Sequence, residues 1–193
     1  MSIDHAGFAD PVLDAQRAFR ALLDAMSRPG TVHRIGALPE APRPLGPAAA
    51  AVLLTLLDAD TPLWLAPAFA SSLEWLVFHT GVAATGRMAD ASYVVTTQLP
   101  DLTGLNAGSD AGPEDSATLI VQIASIGAAG APAWRLAGPG LAGPRILSVD
   151  GLPHDFAARW AANRALFPRG VDLVLCADDT LVALPRTTQI SEL

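Results

Sequence analysis

The sequence predicts an α/β fold, built as a three-layer α/β/α sandwich around a mixed sheet. Segments with helical and strand-like patterns alternate along the 193 residues, as is typical of this class. The nearly continuous apolar segment 117–124 indicates a central strand covered on both faces. Strands predicted at 171–176 and 180–184 flank a short turn and form a hairpin, so the sheet contains an antiparallel pair. The length is that of a single domain, residues 1–193.

The first element is a capped amphipathic helix. Asp10 and Pro11 start it, because an aspartate side chain accepts hydrogen bonds from the first-turn amides and proline has no amide to leave unpaired there. Pro29 and Gly30 end it. Its apolar side chains recur at steps of three and four and line one face. They are Val12, Ala15, Phe19, Leu22, Leu23 and Met26.

The other elements are predicted from local patterns of apolar residues, prolines and glycines. The first half contains a strand at 31–35, a proline-rich extended connection at 37–47, a helix at 48–57, a strand at 61–65, a helix near 70–79 capped by Ser71 or Ser72, and a strand at 91–97. The second half contains a loop at 100–116 with a one-turn helix, the apolar central strand, strands at 133–137 and 145–149, a helix at 153–167 and the hairpin.

The composition excludes several classes of protein. A net charge of -7 and a pI near 4.8 argue against nucleic-acid binding, which needs basic patches. The longest apolar run is 47–57, whereas a membrane-spanning helix needs about 20 residues. The N-terminal residues do not resemble a secretory signal, so the sequence predicts a cytoplasmic protein that does not bind membranes. The lone Cys176 lies in a predicted buried strand, which favours a structural thiol.

Cofactor and metal sites also lack support in the sequence. All 12 basic side chains are arginine, so the chain has no lysine for a pyridoxal phosphate Schiff base or a Walker A loop. The glycine pattern at 138–143 is followed by a predicted strand instead of the helix that a dinucleotide site needs. The four histidines, at positions 5, 33, 79 and 154, are scattered and show no metal-binding spacing. We therefore predict neither a cofactor nor a metal.

Two acidic residues and one histidine are candidate site residues, each with a simpler explanation beside the functional one. Asp58 and Asp60 stand in a predicted helix-to-strand turn. Paired carboxylates bind metals or stabilise a cationic transition state, but aspartates also form ordinary turns, and the turn is favoured. His79 ends a predicted helix, either as an acid or base or as a helix end cap, and the cap is favoured.

The remaining candidates are cationic or hydroxyl-bearing residues. Arg186 with Thr187 and Thr188 offers donors for a phosphate or phosphonate oxygen, or for docking against a partner subunit, and the sequence does not separate these alternatives. Arg20 and Arg28 lie on the first helix, away from its apolar face or at its end. A cation in a last helical turn is favoured by the helix dipole, so a solvated role is the simpler explanation for them.

Six segments together resemble the H-subunit family of the bacterial carbon-phosphorus lyase system, in order and over nearly the whole chain. They are DAQRAFRALLDAMSRPG at 14–30, VLLTLLDADTPLW at 52–64, FHT at 78–80, ATLI at 117–120, FPRGVDL at 167–173 and PRTT at 185–188. The resemblance implies a fold related to the large domain of pyridoxal phosphate-dependent transferases, without that cofactor. It also implies a complex with the G, I and J subunits, and a homodimer when isolated.

The resemblance further implies a role in phosphonate catabolism. In that reaction methylphosphonate replaces the adenine of ATP at C1 of ribose, which gives α-D-ribose 1-methylphosphonate 5-triphosphate. The family supplies no catalytic residues. Our leading hypothesis is a structural or ligand-binding subunit, in which the arginines and threonines named above bind anions and Asp58 or Asp60 stabilises the developing oxocarbenium carbon. The alternative is a dimeric interaction subunit without a ligand site. A free-standing enzyme would require a polar pocket that joins His79 to the arginines.

Overall fold

A computed structural model describes residues 6–36 and 42–193. The helices are α1 (Pro11–Ser27), α2 (Pro47–Leu56), α3 (Leu73–Thr80) and α4 (Phe156–Arg164). The strands are β1 (His33–Arg34), β2 (Leu63–Leu65), β3 (Tyr93–Thr96), β4 (Thr118–Gln122), β5 (Ser125–Ile126), β6 (Ala133–Ala137), β7 (Arg145–Asp150), β8 (Asp172–Ala177), β9 (Thr180–Leu184) and β10 (Gln189–Glu192). The structure also contains four short 3₁₀ helices, at Pro67–Ser72, Met88–Asp90, Leu102–Gly104 and Pro113–Asp115, among the described residues. His5 and residues 37–41 of the predicted extended connection lie outside the described residues.

The main sheet has six strands in the order β1-β9-β8-β4-β3-β2. Strands β2, β3, β4 and β8 run parallel, while β9 is antiparallel to both β8 and β1. The predicted α/β class with a mixed sheet is confirmed, as is the hairpin of β8 and β9. Strand β4 lies between β3 and β8, the central position that its apolar sequence predicts.

Alternate side chains of the main sheet enter two separate apolar cores. Ile120 and Val174 face a core that includes Leu22 of α1 and the alanines of α2. Leu119 faces the other core, with Trp160 of α4. This division follows from the period of two along a strand, which sends neighbouring residues to opposite faces. Helices α1, α2 and α3 therefore cover one face of the main sheet.

The opposite face is covered by α4 and by a second sheet. This sheet is antiparallel, with the order β10-β6-β7-β5. Trp134 and Leu136 of β6 point into the core beneath it. The sequence predicts β6 and β7 but not their separation from the main sheet, and it does not predict β5 or β10. Strand β5 has only two residues, and Gln189-Ile-Ser-Glu in β10 has a single apolar side chain, so neither carries a clear strand pattern.

Helix α1 begins as the sequence predicts. The Asp10 carboxylate accepts hydrogen bonds from the amides of Val12 at 3.2 Å and Leu13 at 3.0 Å. The capping predicted for α3 is wrong, because Ser72 occupies the N-cap position without a side-chain capping bond. Its hydroxyl is buried without a partner, while Ser71 instead donates to the carbonyl of Arg43 at 3.5 Å. A 3₁₀ segment that runs directly into α3 replaces the ordinary cap.

None of the described helices is both long and apolar enough to cross a bilayer. The glycine pattern at 138–143 forms the connection between β6 and β7, two antiparallel neighbours, as expected for a turn and not for a dinucleotide site. Gly140 has a φ of +81°, and a Cβ at this position would collide with the carbonyl oxygen of Ser27. A glycine is therefore needed here because the turn packs against the end of α1.

Candidate functional site

Arg186 is the most extensively bonded side chain among the predicted site residues. Its guanidinium donates to both carboxylate oxygens of Asp172, at 3.2 and 2.7 Å. It also donates to the carbonyls of Pro113 at 2.8 Å and Pro168 at 3.3 Å, and to the hydroxyl of Ser116. A guanidinium has five N–H donors, and these five bonds use all of them. The side chain is therefore part of the internal bonding of the chain and has no donor left over for a ligand.

Thr187 and Thr188 follow Arg186 but have different environments. Thr188 is fully buried, and its carbonyl accepts a 2.9 Å hydrogen bond from the indole N–H of Trp160. Its hydroxyl forms no hydrogen bond with any residue in the described part of the chain. Thr187 is partly exposed and lines a cavity next to α4. Of the predicted Arg-Thr-Thr set, only Thr187 therefore presents its side chain to an open cavity.

The two arginines of α1 are both exposed. Arg28 forms an ion pair with Asp24 at 2.8 Å, and each side chain is more than half exposed. Such a pair contributes little to stability, because solvent screens it. Arg20 forms no ion pair with any residue that the structure describes.

Asp58 and Asp60 lie in an exposed turn between α2 and β2. The Asp58 carboxylate accepts from the amide of Asp60 at 2.9 Å, and the Thr61 hydroxyl bonds to the backbone of Asp58. These are the bonds of an aspartate turn, in agreement with the explanation that the sequence favours. The pKa of nearby Tyr93 is raised, first by burial and then by the negative charge of Asp58.

His79 lies in the last turn of α3. Its ring makes edge contacts with Trp75 at 4.8 Å and Phe78 at 5.0 Å between centroids. A Cβ on Gly7 would lie 3.1 Å from the ring, so the segment that precedes α1 passes against it. A Cβ on Gly81 would lie 3.9 Å from that of Ala59. The residue after the end of α3, Gly81, therefore lies beside the Asp58–Asp60 turn, and the two cavities described below include neither His79 nor the two aspartates.

A trough beside α4 and β10 is the concave feature that the sequence did not predict. One cavity of about 260 Å³ and another of about 280 Å³ both include Arg164 and Gln189 in their walls, so they are parts of one depression. Arg135 and Ser191 line one part of it, and Thr187 and Phe167 the other, with Pro139, Ala137, Trp160, Ala161 and Ile190 completing the walls. We call this depression the α4–β10 trough. Because β10 is not predicted from the sequence, neither is the trough.

The outer surface of α1 carries four exposed large apolar side chains, Leu13 and three others that share one face. Val12, Phe19 and Leu23 are 78%, 49% and 56% exposed. Spacings of seven and four place them on one face of the helix, beside the buried face that contains Leu22. The apolar residues predicted to line one face thus divide between the core and the surface. On α3, Phe78 is also exposed.

Comparison with known proteins supports the resemblance over almost the full length. The sequence model of the family described as bacterial phosphonate metabolism protein (PhnH) matches residues 6–191. The chain belongs to the PhnH family. The alpha-D-ribose 1-methylphosphonate 5-triphosphate synthase subunit PhnH of Rhizobium meliloti (strain 1021) is 40% identical over 188 residues, which are 95% of this chain and 93% of that protein. The putative C-P lyase subunit protein HtxG of Stutzerimonas stutzeri is 32% identical over 176 residues, which are 91% of this chain and 85% of that protein.

The structure shows how two of the segments that resemble the PhnH family are connected. The segments 167–173 and 185–188 are far apart in the chain, but the Arg186–Asp172 bonds join them directly. Arg186 also reaches Ser116, which immediately precedes the segment 117–120. Two of the six segments that resemble the family thus meet at one internal bonding site, beside the start of a third, and the residues there hold the fold together.

Proposed function

We propose that this chain is a subunit of a synthase assembly that makes α-D-ribose 1-methylphosphonate 5-triphosphate from ATP and methylphosphonate. In this reaction a phosphonate oxygen bonds to C1 of ribose while the bond from C1 to adenine breaks and adenine leaves. Support comes from the family and from the names of the two relatives, a synthase subunit and a putative C-P lyase subunit. The chain acts within a complex, with the G, I and J subunits as its partners, in the cytoplasm.

The observation that carries this proposal is the exposed apolar face of α1. A large side chain gains about 1.5–3 kcal/mol when it is fully buried, so Val12, Phe19 and Leu23 together are costly to leave in water. Exposed apolar groups clustered on one face mark interaction surfaces. Phe78 on α3 adds a further exposed aromatic ring on the same helical layer. We propose that this layer docks on a partner subunit in the complex, or on a second copy when the chain is isolated.

Two features favour a structural over a catalytic role for the chain. All five donors of Arg186 are used internally, and the Asp58 carboxylate is used in its own turn. The second candidate function is therefore a dimeric scaffold without a ligand site. The other predicted ligand contacts, Arg20, Arg28 and His79, stay predictions.

We also propose a broader structural relation, which rests on the family resemblance. A main sheet with four parallel strands, covered by helices on one face and by α4 with a small sheet on the other, supports a layered sandwich. Its proposed relation is to the large domain of pyridoxal phosphate-dependent transferases. The chain has no lysine, so it does not form the Schiff base that anchors that cofactor.

The docking proposal is tested by co-purification with tagged G, I and J subunits. We expect Phe19→Asp and Leu23→Asp to abolish capture of this chain, because each places a charge within the proposed apolar interface. The matched control is Ile146→Asp, since Ile146 is 53% exposed but lies on the second sheet. It should be captured like the unmodified chain. Circular dichroism and urea unfolding should show that all three variants are folded.

Capture of the α1 variants at the level of the control would contradict the docking proposal. Calorimetry on the assembled complex distinguishes the scaffold alternative from a ligand-binding role. If the complex binds ATP or methylphosphonate equally well with and without this chain, the scaffold is supported and a ligand-binding role is excluded.

A further inference from the structure

We propose that the α4–β10 trough binds the triphosphate group of a nucleotide or nucleotide-like substrate, with Arg135 and Arg164 as its cationic ligands. The inference deepens the proposed function and rests on it for the choice of a triphosphate. The trough is assembled from α4, β6, β10 and the segment after β9. None of the residues that line it was a predicted ligand contact except Thr187.

The trough is lined by positive charge, whereas the chain as a whole is acidic. The chain carries 19 acidic and 12 basic side chains, and seven arginines form ion pairs among the described residues. Arg135 and Arg164 form none within that part of the chain, and both are exposed. No aspartate or glutamate is among the described residues that line the two cavities. Two unpaired guanidinium groups and no carboxylate make the depression attractive to a multiply charged anion.

The backbone fixes the position of both arginines, while their guanidinium groups form no hydrogen bond with the residues that the structure describes. On β6, Trp134 and Leu136 point into the core, so Arg135 between them points to the outer face of the second sheet. There it lies opposite Ser191 of β10. Arg164 occupies the last turn of α4, and the bond from Trp160 to the Thr188 carbonyl ties this helix to the start of β10. The two charges therefore come from different elements, the paired strand β6 and the tethered helix α4, which line the same cavity.

Neutral groups complete the chemistry of a phosphate site. The hydroxyls of Thr187 and Ser191 and the amide of Gln189 line the same cavities and can donate to phosphate oxygens. Phe167 stands at one end of the trough and is 64% exposed. An exposed aromatic face of this kind can stack with a nucleobase. The trough therefore offers a charged part for phosphates and an apolar end for the remainder of the ligand.

The test is calorimetric titration of the full-length chain with inorganic tripolyphosphate, with ATP and with methylphosphonate. We expect tripolyphosphate and ATP to bind, and Arg135→Gln and Arg164→Gln each to weaken both at least tenfold through loss of a charged hydrogen-bond donor. The matched control is Arg43→Gln, because Arg43 is also exposed and without an ion pair in the described residues, but lies outside the trough. This control should bind like the unmodified chain. Phe167→Ala should weaken ATP but leave tripolyphosphate binding unchanged.

The inference would be overturned by no binding of tripolyphosphate to the unmodified chain, by equal weakening in Arg43→Gln, or by unchanged binding in the Arg135→Gln, Arg164→Gln double variant. Binding of methylphosphonate that needs Arg135 and Arg164 while tripolyphosphate does not bind would also overturn it. The arginine variants should unfold at the urea concentration of the unmodified chain, because neither guanidinium group forms a hydrogen bond or ion pair with a residue that the structure describes. Capture by the G, I and J subunits should be unaffected by the trough variants. The trough inference and the docking proposal can therefore be refuted independently of each other.

Discussion

Replacing Arg186 by methionine should destabilise the fold instead of removing a ligand contact. The substitution keeps a long unbranched side chain but removes the guanidinium that bonds to Asp172, Ser116, Pro113 and Pro168. The side chains of Arg186 and Asp172 are only 14% and 22% exposed. Methionine therefore leaves a mostly buried carboxylate without its counter-charge and two carbonyls without their donors.

The expected loss can be estimated from these contacts. Removal of one partner from a fully buried ion pair costs about 3–5 kcal/mol. Partial exposure lets water reach Asp172, so we expect about 3 kcal/mol for Arg186→Met. For a domain of this size each kcal/mol lowers Tm by about 2–4 °C, which predicts a Tm lower by about 6–12 °C. Against a total stability of about 5–15 kcal/mol this is a large effect.

Urea unfolding followed by circular dichroism measures the loss, and a double-mutant cycle tests its cause. Asp172→Asn keeps an oxygen that can accept the 2.7 Å bond from the Arg186 amide while removing the negative charge. The double variant should therefore lose less than the sum of the single losses, by about 1–3 kcal/mol. A loss below about 1 kcal/mol for Arg186→Met, or additive losses in the cycle, would refute a structural role for this side chain.

Two further predictions concern the close contacts of the core. Gly140→Ala should lower the free energy of unfolding by more than about 1 kcal/mol in urea, because Gly140 has a positive φ and an added Cβ would collide with the Ser27 carbonyl; an unchanged midpoint would contradict the observed approach. Burial raises the pKa of the Cys176 thiol from 9.0 to about 12, so a thiolate reagent at pH 8 should label it only at the rate of unfolding. Between these two pKa values the unfolded thiol loses its proton and the folded one keeps it, so the contribution of Cys176 to stability should fall as the pH rises from 9 to 12; fast labelling without urea would argue against a buried thiol.

Local signals made the main sheet and its helical layer predictable. Asp10 and Pro11 define the start of α1 by capping chemistry alone. The apolar sequence of β4 indicates its central place, because only a strand covered on both faces can be apolar at nearly every position. Side-chain direction is harder to predict. The apolar residues of α1 have helical spacing, but the spacing alone does not say that Leu22 meets a core while Phe19 remains exposed.

The α4–β10 trough was not predictable for a different reason. Its walls come from segments distant in sequence, and one of them, β10, exists because it pairs with β6. The same limit applies to Arg186, whose sequence context suggests an anion ligand. Only the fold shows that Asp172 and two carbonyls from other segments already occupy its donors. The residues of a site can be proposed from their chemistry, but tertiary contacts decide which of their hydrogen-bond donors remain available for a ligand.

The pairing of β10 with β6 also constrains the order in which this molecule can be completed. Strand β6 is synthesised long before residues 189–192, and until those residues arrive one of its edges has no partner. Exposed strand edges favour association with other chains. The nascent protein therefore passes through a stage in which its second sheet is open to incorrect pairing, and a proteolytic cut after β9 would return the mature protein to that stage. A cut after β9 would in this way remove β10 and expose the edge of β6, which favours aggregation.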